Sequence, residues 1–481
     1  MSSSTMLRAR RASALRDRDV DLVLRFEGIS RLIPLLVCGG FVISTVVLLL
    51  IGPLNWHLSA PFKIFAFLTA ALSMLVGGYL WATLRRDPTE DAGGARRRRT
   101  PLSASALVVV GSIVYLVLYS PSVHTTTGSW FPNVWQGLTD SGTAYANNKY
   151  YNENGSQLAL YLRMLVAPVT ILILPLTLYF WPRLSVLARV LGVVCVLAAV
   201  ALTIAQGINR GVAELCANVI LFLVLVAAAA VTRRERGKAL KAALGIVLVA
   251  ALFAGYYSAT ITDRVSADAE REGRGDKSSK KERDKELERM ALIGTATERS
   301  DSVYFAVVPG PVESVGVLFT SYVTHGYKGL DLAMQEPFRP TWGLGFSEFG
   351  RHNVLRLIGH ADREDDVVER TYAGQIDERW PVGQLWGTFF IHPASDIGFP
   401  GTVVLLALIG FLFGLSWRDT LVRRDPLACG VFFHLCILVI YIPANNQLFQ
   451  GGELTIGFTV LVAAWLWRRR LGPKVPDVQR R

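Results

Sequence analysis

The chain has 481 residues, 51% of them hydrophobic, and a formal net charge of +12 at pH 7. Such an apolar composition argues against a soluble globular chain. It predicts an all-α polytopic membrane protein.

The hydrophobic residues are concentrated in stretches of about 17 to 25 residues, the length that crosses a hydrocarbon core of roughly 30 Å. We predict about ten transmembrane helices, and the last two are short for a full span. The stretches are 32–54, 62–84, 102–120, 158–180, 184–205, 212–231, 239–260, 398–417, 427–442 and 454–467.

The distribution of Lys and Arg predicts the orientation. Basic clusters lie in the N-terminal segment 1–31, in alternate connections and in the tail 468–481. The positive-inside rule therefore places both termini in the cytoplasm and the long block 262–397 outside, between a seven-helix region (32–261) and a three-helix region (398–467). The first helix serves as its own signal anchor, since no cleavage site precedes it.

The positive charge thus reflects topology and not a nucleic-acid partner. Acidic residues outnumber basic ones in 263–396, so the excess of positive charge lies in the rest of the chain. Anionic headgroups of the membrane lipid are the expected counter-charge. The five cysteines lie in predicted helices without metal-ligand spacing, so neither a metal site nor a disulfide framework is expected.

The external loops differ in composition. The segment 121–157 mixes aromatic and small polar residues, which is typical of an interfacial aromatic belt and also of a sugar-stacking surface. The segment 263–299 alternates charges and predicts a solvated helix or spacer. Segment 312–334 is apolar but contains Gly, Tyr, His and Lys, which favours an interfacial or re-entrant helix.

The turn around Arg210 is the first candidate site. Arg210 follows Asn209 and precedes Gly211, and it is one of two cations in the short external loops. A guanidinium presents a planar fork to phosphate or carboxylate, and the glycines would let a ligand approach the backbone. The alternative is an arginine that snorkels to the membrane surface.

Two further candidate sites lie in the long block. Ser321, His325 and Lys328 share one face of a helix, where a cation could bind diphosphate and a histidine could accept a proton. After Pro340, two glycines predict a compact turn that would bring Arg339, Glu348 and Arg351 together.

A fourth segment leads into the eighth helix. Asp396 lies where that helix is expected to begin. An N-cap is the simplest role for an acidic residue at such a position.

These loop motifs resemble those of bacterial repeat-unit polymerases. Ser321-Tyr-x-Thr-x-Gly-Tyr-x-Gly-Leu, Phe338-x-Pro-Thr-x-Gly-x-Gly and Ala394-Ser-Asp-Ile-Gly-Phe-Pro-Gly resemble Wzy-type O-antigen or exopolysaccharide polymerases. The Asn209-Arg210-Gly211 turn is similar to the Arg-Gly turn of the wider O-antigen polymerase and ligase superfamily. The resemblance covers roughly residues 160 to 460.

The resemblance implies a metal-independent, cofactor-free glycosyltransferase of the membrane-embedded C-type class. Its substrate would be oligosaccharide repeat units on an undecaprenyl diphosphate carrier, joined at the outer face of the bacterial plasma membrane. Chain-length regulators and flippases are further candidate partners.

Site residues follow from the same resemblance. Arginines would stabilise the departing diphosphate and a base would deprotonate the acceptor hydroxyl. Arg210 and Arg339 are the first candidates for the diphosphate, followed by Arg351, Arg163 and Lys328; the base is His325 or Glu348, then Asp396; the sugar would contact Tyr322, Tyr327 and Trp342. One departure is that the first external loop, 52–61, has no Asp or Glu, whereas many C-type enzymes place an acidic base there.

Three alternatives remain open. A polysaccharide ligase of the same superfamily would share Arg210. A lipid-linked sugar flippase or transporter would need polar residues deep in several helices, and Glu214 and Arg163 are the main examples here. The third is a non-enzymatic membrane scaffold or sensor.

Overall fold

The computed structural model describes residues 28–85, 103–154, 157–271, 296–308, 310–382 and 385–470. Four long segments lie outside these ranges: the basic N-terminal segment up to residue 27, the connection 86–102 with its basic cluster Arg96–Arg99, most of the expected charged spacer, and the tail beyond residue 470.

The first part of the chain is a series of helices. Their bounds are α1 Ile33–Ile51, α2 Pro61–Leu84, α3 Ala104–Thr127, α4 Val134–Thr139, α5 Ser141–Asn154, α6 Gln157–Thr170, α7 Ile173–Tyr179, α8 Val186–Ala205, α9 Asn209–Thr232 and α10 Arg236–Arg271.

Short helices form the long block, and three helices follow it. The short ones are α11 Val303–Val307, α12 Gly310–Thr324, α13 Gly326–Ala333, α14 Glu348–Leu357, α15 Glu364–Arg370 and α16 Tyr372–Ile376. The last three are α17 Ile391–Arg418, α18 Pro426–Ile440 and α19 Gly452–Arg470. Two short strands, β1 Leu54–Asn55 and β2 Thr297–Glu298, pair antiparallel and join the first connection to the long block.

The described part of the chain is therefore almost entirely helical, and the protein is polytopic, as its composition predicts. In the described part of the chain, 8 helices are long and apolar enough to cross a membrane. They are α1, α2, α3, α6 with α7, α8, α9, the first part of α10, and α17. Helix α18 has 15 residues, and the 19-residue α19 ends in three arginines. All ten stretches predicted as spans are helical. The last two, α18 and α19, are the ones that are not both long and apolar enough to count among the eight.

Close packing of α2 on α17 forms the centre of the bundle. A Cβ added at Gly78 would lie 2.0 Å from the carbonyl oxygen of Ala407, and one at Gly410 would lie 2.0 Å from that of Leu75. Small residues allow two backbones to approach this closely, which is how helices associate where lipid provides no hydrophobic driving force.

Three helix boundaries lie well away from the predicted ones. Helix α10 continues past its predicted end at residue 260 to Arg271, into the segment expected to be a charged spacer. Helix α3 continues through Pro121 to Thr127, where Asn148 of α5 donates to the carbonyl of Thr126. Helix α17 begins at Ile391, within the predicted loop, and is interrupted at Gly398 with φ 68° and ψ 168°. That conformation is essentially restricted to glycine. The segment 391–397 is therefore a short helix set before the spanning part of α17.

The long block is attached to the bundle through the first connection. The Trp56 indole donates to Thr324 (3.0 Å), and the guanidinium of Arg299 donates to the carbonyl of Leu50. The face of the bundle that carries α11 to α16 is called the loop face below. The opposite face, called the basic face, holds the arginines at the ends of α9, α17 and α19, namely Arg233, Arg418 and Arg468–Arg470.

Candidate functional site

His325 lies at the junction of α12 and α13 inside an aromatic cluster. Its ring lies 5.2 Å from that of Trp386, and the rings of Trp56, Trp380 and Tyr322 lie 6.4, 6.3 and 6.2 Å away. The Nε2 atom accepts from the backbone N–H of Trp386 (3.0 Å), so the proton resides on Nδ1, which donates to the carbonyl of Ser321 (2.9 Å). Both ring nitrogens are thus used inside the protein.

Burial sets the charge of this histidine. Removal from water lowers the pKa of His325 to about 4, because the charged imidazolium loses its hydration. A neutral imidazole is the form that a general base requires. However, its one acceptor atom already holds the Trp386 N–H, and base catalysis would first require that hydrogen bond to break. The geometry therefore disfavours the predicted base role of His325 and suits a positioning role.

Lys328 serves as an anchor between α13 and the first connection. Its ammonium donates to the carbonyl of His57 (2.9 Å) and to Asp331 (3.2 Å). The fully buried Asp331 accepts from the backbone N–H groups of Ser59 (2.8 Å) and Ala60 (3.1 Å). Lys328 is therefore engaged in holding the loop, which disfavours its predicted contact with diphosphate. Asp331 likewise ties α13 to the first connection.

The three predicted sugar-binding aromatics lie in three different environments. Tyr327 is fully buried, and its hydroxyl shares a hydrogen bond with Thr45 of α1 (2.8 Å), so this side chain has no surface for a sugar. Tyr322 is half-buried, with its ring 4.1 Å from that of Trp386. Trp342 is 82% exposed. Only the last two retain a surface on which a ligand could stack.

Asp396 holds the turn that presents Trp342. Its Oδ1 accepts from the Thr341 hydroxyl (2.6 Å) and from the backbone N–H groups of Gly343 (2.7 Å) and Gly345 (3.0 Å). Trp342 has a positive φ of 55°, which is uncommon for a residue with a Cβ. The N-cap role predicted for Asp396 is wrong, because the helix begins at Ile391 and the carboxylate binds another segment.

The predicted convergence of Arg339, Glu348 and Arg351 is not observed. Arg339 lies exposed before the Trp342 turn, and Glu348 lies exposed in the first turn of α14. Arg351 is half-buried, with its Nε 3.6 Å from Glu364. Among the described residues, no hydrogen bond or ion pair joins the three.

Arg210 lies in the first turn of α9 and contacts two other groups. Its Nε donates to Glu214 one turn along the helix (3.0 Å), and a terminal nitrogen donates to the carbonyl of Gln447 (3.1 Å). The Gln447 amide in turn donates to the same Glu214 oxygen. Arg210, Glu214 and Gln447 thus form one polar cluster between α9 and the connection that follows α18.

Arg163 forms a second charged pair within the spanning helices. It lies in α6 and pairs with Glu453 in the first turn of α19. The two side chains are 26% and 32% exposed. A charge in a membrane-spanning helix is costly without a partner or a purpose, so the pairing explains how the bundle tolerates both.

The two charged pairs adjoin one cavity of about 320 Å³. Helices α3, α6, α7, α8, α9, α18 and α19 contribute to its walls, which are mainly aliphatic. The polar and charged lining residues are Tyr115, Tyr119, Ser122, Arg163, Thr170, Thr203, Glu214, Asn218, His434 and Glu453. An apolar cavity with a few converging polar groups is the usual form of a binding site.

The connection 441–451 links this cavity to the long block. Asn446 donates to the carbonyl of Phe346 (2.7 Å), the Ser347 hydroxyl donates to the carbonyl of Phe449, and the Thr388 N–H donates to the carbonyl of Ala444 (2.8 Å). Gln447 of the same connection contacts Glu214 at the cavity. The connection therefore lies between the loop motifs and the charged pairs.

Thr388 is a strained residue beside this connection. Its φ is 68°, a conformation that is rare for a β-branched side chain, and its buried hydroxyl has no hydrogen-bond partner within the described chain. The side-chain oxygens of Asn445, Asn446 and Gln447 are likewise buried without partners there. Strain and unsatisfied polar groups are concentrated at functional sites more often than elsewhere.

Several residues of this site are not among the predicted ones. Glu214 and Glu453 are the partners of the arginines, and the position of Glu214 one helical turn after Arg210 is a signal for that pair. The polar run Asn445-Asn446-Gln447 between two apolar helices is the other available signal. Within the described ranges, no group of three His, Cys, Asp or Glu side chains is placed to hold a metal ion.

The cavity, the two charged pairs and the polar connection are thus the best-defined candidate site. In comparisons with known proteins, no family model, curated protein or solved structure matches this chain.

Proposed function

We propose that this protein is a membrane glycosyltransferase that polymerises oligosaccharide repeat units carried on undecaprenyl diphosphate. The reaction would take place on the loop face, which we assign to the outer side of the bacterial plasma membrane. The resemblance of the loop motifs to Wzy-type polymerases provides the substrate class, and the site geometry supports the chemistry.

One observation carries the proposal: two arginines lie together with two carboxylates at one cavity among spanning helices. Arg163 lines the cavity directly, and Arg210 binds the cavity residue Glu214. Helices α9 and α19 also begin there, so the partial positive charges of their N-termini point toward the same region. A lipid diphosphate would bring its negative charge to this region while its hydrocarbon chain stayed in the membrane.

The chemistry requires charge stabilisation at the leaving group. When the glycosyl bond to diphosphate breaks, the electron pair remains on the phosphate oxygen. Preorganised arginines in a region with little water stabilise such a developing charge strongly. Arg210 and Arg163 are the two candidates of the predicted set that adjoin the cavity, whereas Lys328 is an anchor and Arg339 lies exposed.

Purified protein with a synthetic lipid-linked repeat unit provides the test. We expect a ladder of longer lipid-linked products, and we expect Arg210→Ala to reduce their formation at least about 100-fold, as loss of one charge-stabilising donor does. Arg189→Ala is the matched control, because Arg189 bonds the carbonyls of Trp181 and Pro182 and does not line the cavity. Full activity in Arg210→Ala would refute the role of Arg210, and no ladder from the wild type would refute the polymerase.

A chelator in the same assay tests the metal independence implied by the resemblance. Activity should persist in its presence. Loss of activity with recovery on adding a divalent cation would contradict this expectation.

A polysaccharide ligase is the nearest alternative, since it would use the same diphosphate chemistry with a different acceptor. A deletion strain separates the two functions. Single repeat units left on carrier indicate a polymerase, and full-length polymer left on carrier indicates a ligase.

A lipid-linked sugar flippase is the second candidate function, and the cavity is the observation that favours it. Arg163, Glu214, Asn218 and His434 are polar residues of spanning helices that line one cavity, and a transporter is expected to have such residues. In a deletion strain, a flippase would leave its substrate on the cytoplasmic leaflet, whereas a polymerase would leave it on the outer one.

A further inference from the structure

The cavity contains two carboxylates, neither of which belongs to the predicted set of bases. Glu214 and Glu453 are the acidic residues among its lining, and His325, Glu348 and Asp396 do not line it. A base must lie within hydrogen-bond reach of the hydroxyl that it deprotonates. If transfer occurs at the cavity, a lining residue is better placed than any of the three.

The bonding of Glu214 leaves one of its oxygens available. Both Arg210 and the Gln447 amide donate to Oε1. Oε2 forms no hydrogen bond with the described part of the chain. The carboxylate is thus fixed from two directions through one oxygen, while the other can accept a proton.

Resting on the proposed glycosyl transfer, we propose that Glu214 is the general base and that Arg210 releases it when a lipid diphosphate binds. The guanidinium of Arg210 is shared between Glu214 and the Gln447 carbonyl. A diphosphate carries more negative charge than one carboxylate and competes for the guanidinium. The same binding event thus places the leaving group on Arg210 and frees Glu214 beside it.

The transfer step balances with these groups alone. The acceptor hydroxyl gives its proton to Glu214 Oε2 as its oxygen forms a bond to the anomeric carbon of the donor. The bond from that carbon to the diphosphate oxygen breaks, and its electron pair leaves on the lipid diphosphate held by Arg210. Glu214 returns the proton to solvent after the product moves away.

Two other residues that line the cavity are less suitable as the general base. Glu453 is paired with Arg163. It therefore lies beside Arg163, whereas Arg210 holds the leaving diphosphate in this proposal. His434 lies in the middle of α18 and bonds its own helix through Nδ1, 2.8 Å from the carbonyl of Gly430. Since the base and the leaving group must flank one reacting carbon, the residue one helical turn from Arg210 is favoured.

The first test compares the transfer rate with donor binding. Glu214→Gln keeps an oxygen that can accept from Arg210 and Gln447 but cannot take the proton. We expect its single-turnover rate to fall about 100-fold or more, while its affinity for a nonhydrolysable lipid diphosphonate is retained. Glu235→Gln is the matched control, because Glu235 pairs with Lys238 on the basic face. A Glu214→Gln rate within about tenfold of the wild-type rate would overturn the proposal.

Chemical rescue separates a base from a structural residue. Glu214→Gly leaves space in the cavity for formate, and added formate should raise its transfer rate in a concentration-dependent way. If formate does not raise the transfer rate of the folded Glu214→Gly variant, the assignment of Glu214 as the base is contradicted. If this variant does not fold, the Glu214→Gln rate alone tests the assignment. If the wild type is active and Glu214→Gln is unimpaired, only the base assignment fails; if the wild type makes no product, the proposed function fails with it.

Discussion

His325 is a buried neutral histidine whose environment makes stability depend on pH. Its folded pKa of about 4 lies below the ordinary histidine pKa of 6.5, so the unfolded chain binds the proton more readily. The contribution of His325 to stability is therefore fully present above pH 6.5 and is lost as the pH falls toward 4. The full effect is about 3 kcal/mol by proton linkage.

This leads to a first prediction. His325→Gln removes the titrating ring and retains a polar side chain near Trp386, so the stability difference between wild type and variant should shrink as the pH falls from 6.5 to 4. Thermal unfolding of the two detergent-solubilised proteins at several pH values measures this stability difference. A difference that is constant over this range would contradict a depressed pKa for His325.

Trp342 permits a second prediction. Because its side chain is exposed, a substitution there can weaken ligand binding without changing the stability of the fold. Truncating an 82% exposed indole removes little packing, so Trp342→Ala should change the unfolding free energy by less than about 0.5 kcal/mol. If the ring stacks on a sugar, transfer should still fall about tenfold, which matches the energy of one aromatic contact. Trp467→Ala is the control and should leave transfer unchanged, because Trp467 is 68% exposed near the end of α19 on the basic face. An unchanged transfer rate in Trp342→Ala would show that the indole does not contact the sugar.

A single site residue can be predicted from the sequence where placing that residue type at that position has an evident energetic cost. Arg163 and Arg210 stand out because a charge near or within a spanning helix is expensive. Their partners Glu453 and Gln447 lie far away in sequence, so only the tertiary structure identifies them. Lys328 and Tyr327 have the residue types of a binding site, but their contacts with Asp331 and Thr45 make them parts of the scaffold.

At the level of elements, helix positions are easier to predict than helix ends. A spanning helix satisfies its backbone internally and exposes apolar side chains to lipid, so a hydrophobic stretch is a nearly sufficient signal. The predicted end of α3 is too early because Pro121 suggests a break, whereas contacts with α5 support the turns that follow. The predicted start of α17 is too late because the sequence before Gly398 is polar enough to resemble a loop.

The α2–α17 contact gives a third prediction from two neighbouring glycines. A Cβ at Gly78 would lie 2.0 Å from a backbone carbonyl of α17, whereas one at Gly77 would meet nothing within 4 Å. Gly78→Ala should therefore destabilise the protein by about 1–3 kcal/mol through overpacking. Gly77→Ala should be neutral or stabilising by up to about 1 kcal/mol, since alanine favours the helix.

Thermal unfolding in one detergent compares the two glycine variants directly. Equal melting temperatures would show that the two helices do not pack through Gly78. A lower melting temperature for Gly77→Ala alone would reverse the assignment of the packed face.

At the scale of the whole molecule, charge separates the two faces of the bundle. On the basic face, the buried Asp419 accepts from Arg469 (2.7 Å) and from the Trp465 indole (3.1 Å), and Arg468 lies 3.7 Å from Asp425. Toward the loop face, the charged pairs adjoin the cavity. The ion pairs of the basic face join helix ends to one another. The charged pairs at the cavity surround a space that a ligand could enter.

The orientation of these faces is the fourth prediction. If the basic face is cytoplasmic, a cysteine on the loop face should react with a membrane-impermeant maleimide in spheroplasts, and one on the basic face should react only after permeabilisation. Arg356→Cys on α14 and Lys238→Cys on α10 place single thiols at exposed positions. The native cysteines are buried or half-buried within helices, so background labelling should be low. Labelling of Lys238→Cys and not of Arg356→Cys in sealed spheroplasts would invert the topology, and the cavity could then not act on lipid-linked sugar at the outer leaflet.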